Sequence, residues 1–160
     1  AAASHAGVPL QTSVAALGCW RGVRRRLEQV GVRREITIYD DFAHHPTEIS
    51  ATLQALRSQK SDGRIVAVFE PRSNSMKLGV HASELGKALS AADRVFVFEP
   101  SGLQWDIQSA FKANKSAVVL SELSELSQAI VNQLQAGDRV VVMSNGSFGG
   151  LPARLLDALQ

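Results

Sequence analysis

A twisted, mostly parallel α/β sheet with helices on both faces is the fold class this sequence predicts. Five short apolar or β-branched runs recur along the chain: "EITIYDDF" (35–42), "RIVAVFEP" (64–71), "RVFVFEPS" (94–101), "SAVVLSE" (116–122) and "DRVVVMSN" (138–145). Runs that are apolar almost throughout, rather than alternating, suit strands covered on both faces. Helical periodicity occupies the gaps, and strand and helix alternate, which is the pattern of a parallel sheet whose ligands collect at the carboxyl ends of the strands.

The elements follow in order. Residues 1–22, "AAASHAGVPLQTSVAALGCWRG", read as one helix end, a turn at "GVP" and a second helix. They stand outside the strand–helix rhythm, so we expect 1–22 to be the helical end of a preceding domain or a linker, and 23–160 to be the α/β domain. Cys19, inside the helical run, is expected to pack as an inert thiol. Arginines at 21, 24, 25, 26, 33 and 34 follow; they read equally as a solvated helix end and strand edge or as the neighbourhood of an anion.

After the strand 35–42, "AHHPTE" is a turn in which His45 is the N-cap, Pro46 the first helical residue and Glu48 the third. Ile49, Leu53 and Leu56 then share one helix face. The strand 64–71 opens into "FEPRSNSMKLGVH", and "VHASELGKALSAAD" is helical. Between the last two strands, Leu123, Leu126, Ile130 and Leu134 again line one face, and "PARLLDAL" closes the chain.

Composition narrows the function classes. With 160 residues and 45% of them hydrophobic, the chain is the size of one domain that buries a core without disulfides or metal. A lone cysteine forms no internal bridge, which favours a cytoplasmic setting. No uncharged apolar stretch approaches the ~18 residues that span a bilayer. A net charge of +2 and 6% aromatic residues argue against a nucleic-acid surface. There is no G-x-x-x-x-G-K-[ST] loop for a γ-phosphate and no G-x-S-x-G elbow. A receiver domain shares this fold class, but its phospho-acceptor Asp is missing from the third strand, which ends "FEPSG". Adjacent His44 and His45, with His5 and His81 distant in sequence, lack metal-ligand spacing, so no metal site is expected.

Three stretches carry candidate chemistry. Asp40 and Asp41 end a strand, where acids accept hydrogen bonds from ligand hydroxyls. Arg72, Ser73, Asn74, Ser75 and Lys77 follow the next strand and suit a substrate bearing carboxylates. Gly146, Gly149 and Gly150 allow a tight turn before a helix start that presents free N–H groups. Each stretch reads also as an ordinary capped turn or polar loop. On the residues alone, an enzyme fragment, a stand-alone nucleotide- or anion-binding module and a basic nucleic-acid-binding domain remain open.

Taken together, "GVRRRLE", "YDDFAHHPTEI", "EPRSNSMK" and "VVVMSNGSFGG" resemble the C-terminal domain of the Mur ligases over nearly the whole chain. "EPRSNSMKLGVH" and "MSNGSFGG" resemble in particular the branch that joins UDP-N-acetylmuramate to L-alanyl-γ-D-glutamyl-meso-diaminopimelate in peptidoglycan recycling. "DD-aromatic-x-HHPTE" alone also suits the branch that adds L-alanine, whereas "FEPSGLQW" stands where a ligase for free diaminopimelate shows an "NPR"-type motif. The resemblance implies an ATP-dependent, Mg²⁺-assisted amide-bond-forming enzyme that works through an acyl phosphate. This domain would be its moving lid, and the N-terminal and central domains of the same chain would supply the phosphate loop. It implies nucleotide contacts from Arg26, Asp41, His44 and His45. It implies peptide contacts from Arg72, Ser73, Asn74, Lys77, Ser144, Asn145 and Ser147, no catalytic residue in this segment, and neither nucleic acid nor membrane as a partner.

Overall fold

The computed structural model describes residues 2–19, 22–59 and 62–160. Arg21 of the arginine run and Lys60 at the end of a predicted helix lie outside them. In chain order the elements are α1 (Ala2–His5), α2 (Leu10–Gly18), β1 (Glu28–Arg33), β2 (Ile36–Asp41), α3 (Pro46–Ser58), β3 (Ile65–Phe69), α4 (Asn74–Lys77), α5 (Ala82–Ala88), β4 (Arg94–Phe98), α6 (Ile107–Phe111), β5 (Ala117–Leu120), α7 (Leu123–Gln133), β6 (Arg139–Met143), a 3₁₀ turn (Phe148–Gly150) and α8 (Leu151–Ala158).

The six strands form one sheet in the order β1-β2-β6-β3-β4-β5. All neighbours pair in parallel except β1, which runs antiparallel to β2 along the edge. The predicted parallel sheet is therefore present, with its five strands trimmed at their ends. On one face α3, α5 and α6 pack Ile49, Leu53, Leu56, Leu85, Ile107 and Phe111 over Ala67, Phe69, Val95 and Val141. On the other, α7 and α8 pack Leu126, Ile130, Leu151 and Leu155 over Ile38, Val66, Val68, Phe96 and Val142. The apolar residues that share a face at helical spacing are the ones buried here, and this burial is the main stabilising term.

Register decides where the loops emerge. Asp41 of β2 and Phe69 of β3 both pair with Met143 of β6, so these three strands end level with one another. The chain leaves β3 toward the α4–α5 face but leaves β6 toward the α8 face. Loops diverging from adjacent parallel strands open a crevice, and ligands of such sheets occupy it.

Three features depart from the sequence reading. β1 was not anticipated: "EQVGVR" is short, exposed at most positions and interrupted by a register shift between Gln29 and Gly31, so it has neither the apolar run nor the clean alternation that marks a strand. The five-residue α6 was missed because it depends on a cap rather than on periodicity, with Asp106 Oδ1 accepting from the Ser109 N–H at 3.0 Å. Cys19, expected to be packed, is exposed just past the end of α2. Neither α1 nor α2 has a buried residue, and Leu10, Val14 and Leu17 are exposed. No helix among the described residues is long and apolar enough to cross a membrane.

Candidate functional site at the strand ends

The turn after β2 is built by reciprocal capping, as its sequence predicts. The His45 Nδ1 accepts from the Thr47 N–H at 3.3 Å, while Glu48 Oε2 accepts from the N–H groups of His44 and His45 at 3.2 and 3.3 Å. Pro46 opens α3, where its missing N–H leaves no bond unmade. His44 Nδ1 lies 3.2 Å from the Phe42 carbonyl and 3.3 Å from Glu48 Oε2, and the His45 ring meets His81 edge-on at 4.4 Å between centroids. Burial alone pushes Glu48 up, but the His44 and His45 N–H groups, with His44 and Arg26 nearby, outweigh it and hold the carboxyl below its ordinary value.

Asp41 is placed differently from a residue open to a ligand. It is buried, and both its oxygens are occupied: Oδ2 accepts from the Leu27 N–H at 2.6 Å, and Oδ1 from the Ala43 N–H at 2.7 Å and the Thr52 hydroxyl at 3.3 Å. Asp40 is more accessible. Burial raises its pKa above the ordinary value although Arg25 opposes the shift.

Arg25, which the sequence reading passed over in favour of Arg26, holds this region together. Its Nε donates to Asp40 Oδ2 at 3.2 Å, and its Nη2 to the carbonyls of Ser144 and Gly146 at 2.7 and 2.6 Å. Arg25 and Leu27 both have left-handed backbone, at φ of 56° and 50°. Such a conformation persists only where surroundings over-determine it. Here the Arg25 N–H bonds Glu28 Oε2, the Arg25 carbonyl accepts from Phe42, and Leu27 is bound to Asp41. Arg26 points elsewhere: its guanidinium is half-exposed, 5.7 Å from the Phe42 ring centroid and 3.9 Å from Glu48 Oε1. Nothing in a run of three arginines distinguishes the one that ties strand ends together from its neighbours.

The loops after β3 and β6 meet across the crevice. Ser144 is buried, donates to Glu70 Oε2 at 2.5 Å and accepts from the Gly146 N–H at 2.9 Å. The exposed Arg72 side chain lies flat on Gly146, so closely that a β-carbon there would fall 2.0 Å from Nη1. Asn145 Oδ1 is buried without a partner among the described residues. Ser73 caps α4 by accepting from the Met76 N–H at 3.3 Å, and Asn74 and Lys77 lie on that helix; Ser147 is exposed in the turn before α8. A second loop buttresses the first: Trp105 Nε1 donates to the Met76 carbonyl at 2.6 Å, the Gln104 N–H to the Lys77 carbonyl at 2.9 Å, and the indole lies against Gly79, whose φ is +77°. The structure thus brings Arg72, Ser144 and Asn145 into one cluster and links it, through Arg25, to the Asp40 side. Glu70, Arg25 and Trp105 are the residues that the motifs did not single out. Glu70 carried one signal, an acid at the end of an otherwise apolar strand.

Sheet order and flanking helices define an α/β domain of the doubly wound kind, with its polar candidate residues gathered at the strand ends. The chain belongs to the Mur ligase family: residues 25–146 match the family model described as Mur ligase, glutamate ligase domain. It is 46% identical over 162 residues to the UDP-N-acetylmuramate–L-alanyl-γ-D-glutamyl-meso-2,6-diaminoheptandioate ligase of Haemophilus influenzae, a match that covers 100% of this chain and 36% of that protein. Its identity to the Escherichia coli ligase of the same name is 44% over 161 residues, covering 99% of this chain and 35% of that one. Among solved structures, a murein peptide ligase from Psychrobacter arcticus superposes with a TM-score of 0.76 at 42% identity, over 99% of this chain and 34% of that one. The chain therefore spans about a third of the length of the relatives it matches.

Proposed function

We propose that this chain is the substrate-presenting C-terminal domain of an ATP-dependent ligase that joins UDP-N-acetylmuramate to the tripeptide L-alanyl-γ-D-glutamyl-meso-diaminopimelate in cytoplasmic peptidoglycan recycling. Residues 1–22 then form the trailing edge of a central domain that carries the phosphate loop and most of the Mg²⁺ site. The observation that carries this reading is the pairing of two clusters at one strand edge. One, with Arg26, His44 and His45, suits a nucleotide; the other, with Arg72 and its neighbours, suits a peptide bearing carboxylates. Arg25 bonds to both sides. The names of relatives at 46% and 44% identity support the choice of substrate.

In that reaction ATP gives its γ-phosphoryl group to the muramate carboxylate, and the peptide amine attacks the acyl carbon, expelling phosphate. Mg²⁺ offsets phosphate charge. The role of this domain is to bring the amine to the acyl phosphate and to exclude water, so its contribution is one of orientation. Arg26, half-exposed beside Phe42, takes the nucleotide side with the His44–His45 turn. Asp41 acts by holding that turn, its own oxygens being occupied. Arg72, Ser73, Asn74, Lys77, Ser144, Asn145 and Ser147 form the peptide side.

The test is phosphate release by the full-length enzyme given ATP, Mg²⁺ and UDP-N-acetylmuramate, with tripeptide in one reaction and L-alanine in another. Release with tripeptide alone is expected. Release with L-alanine alone would move the protein to the L-alanine-adding branch, and silence in both would favour a binding module without ligase activity.

A further inference from the structure

Glu70 is the one buried carboxyl at the strand-end crevice whose surroundings leave it half-served. It is 8% exposed. Oε2 receives the Ser144 hydroxyl at 2.5 Å, while Oε1 receives no donor among the described residues and keeps access to solvent, and no Lys, Arg or His among them forms an ion pair with Glu70. Asp41, which ends the neighbouring strand, contrasts with it in taking three donors. A second acceptor in the same loop pair, Asn145 Oδ1, is itself buried and without a partner among the described residues. Buried acceptors without donors are rare and costly, and a buried carboxyl without a cation is more so.

The missing partner is rich in donors and positively charged. An ammonium group has three N–H donors and no acceptor to leave unsatisfied, which matches two open acceptors. Arg72 lies beside them, against the Gly146 whose N–H bonds the same Ser144 hydroxyl. Its guanidinium is suited to a carboxylate. An acidic and a basic group held two residues apart at one crevice match a ligand whose ammonium and carboxylate are close together.

We propose that Glu70, with Asn145, binds an ammonium group of the peptide substrate while Arg72 takes a neighbouring carboxylate. The proposal rests on the ligase reading above and deepens it. The tripeptide offers two ammonium groups: the amino terminus of its alanine, which is the nucleophile, and the free amine on the far carbon of diaminoheptanedioate, which sits beside a carboxylate.

The experiment uses the full-length enzyme with ATP, Mg²⁺ and UDP-N-acetylmuramate. It compares the tripeptide with an analogue in which hydrogen replaces the far amine. Glu70→Gln keeps the size of the side chain and still accepts the Ser144 hydroxyl. It is expected to lower kcat/KM for the tripeptide about tenfold or more, the scale of one lost charge-assisted hydrogen bond, with KM for ATP within about twofold. If the loss disappears with the analogue, the far ammonium is the ligand. If it persists with the analogue and the pH profile of kcat/KM for peptide shifts, the amino terminus is. Asn145→Ala, which alters only the loop, should show the same peptide selectivity with a smaller loss and serves if Glu70→Gln does not fold. Equal losses on both peptides with an unmoved pH profile, a KM for ATP that rises in step, or no loss at all would overturn the subsite and leave the ligase reading intact. An unsubstituted enzyme that releases no phosphate with tripeptide would instead overturn the ligase reading, and this ligand for Glu70 with it.

Discussion

Gly146→Ala should disable Arg72 without touching it. Gly146 does not have left-handed backbone, so alanine meets no conformational penalty there. The added β-carbon would stand 2.0 Å from Arg72 Nη1 and 2.5 Å from its Cδ and Cζ. Non-bonded heavy atoms rest about 3.5–4.0 Å apart, so the guanidinium must retreat by roughly 1.5 Å or more. Arg72 is exposed, and the end of a flexible side chain can swing into solvent, so the fold should lose little. The loss falls on whatever the guanidinium holds. A hydrogen bond to a charged group contributes about 1.5–3 kcal/mol, which converts to roughly a ten- to 150-fold fall in kcat/KM for peptide. Steady-state phosphate release by the full-length enzyme, with peptide and ATP varied in turn, measures it. Because both changes remove one guanidinium, adding Arg72→Ala to Gly146→Ala should cost little more. Full additivity of the two, or an equal loss for ATP, would refute the reasoning.

Two further perturbations test the turn after β2. Asp41→Ala strands the part-buried Leu27 and buried Ala43 N–H groups, each worth about 1–3 kcal/mol. Thermal unfolding should shift down by about 5–15 °C for a domain of this size, and a midpoint within roughly 2 °C of the parent would contradict the structural role. Glu48→Gln tests the capping charge. Because Glu48 is held below its usual 4.5, its contribution is complete above that value and is lost as pH falls through the depressed one. The parent should therefore be more stable than the variant near neutrality, and the difference should shrink as the pH is lowered through the depressed carboxyl pKa; a constant or widening difference would remove the charge from the account.

The layers of this fold were legible because each depends on a pattern that sequence displays directly. Val66, Val68 and Val140 read as strand whether or not their neighbours are known, and Ile49, Leu53 and Leu56 fall on one face by spacing alone. The His45 cap was legible for a similar reason, since proline and a third-position glutamate fix it locally. β1 was not, because its place comes from pairing with β2 and not from its own composition. Trp105 escaped for a related reason: its bond to the Met76 carbonyl joins two loops that only the adjacency of β3 and β4 brings into contact.

Asp40, Asp41 and Glu70 set the limit of such reading. All three are acids at the carboxyl ends of strands, so their sequence positions are equivalent, yet their environments assign them separate work. Asp41 is consumed by two backbone N–H groups and a hydroxyl, and so shapes the turn. Asp40 is paired with Arg25, whose Nη2 donates to the carbonyls beyond β6. Glu70 is buried as a residue, gives one oxygen to the Ser144 hydroxyl and keeps the other, open to solvent, without a donor among the described residues. The partners that separate them come from 2 to 74 positions away. A carboxylate's role follows from how many of its lone pairs the protein has already filled, and only the one left open has capacity for a ligand.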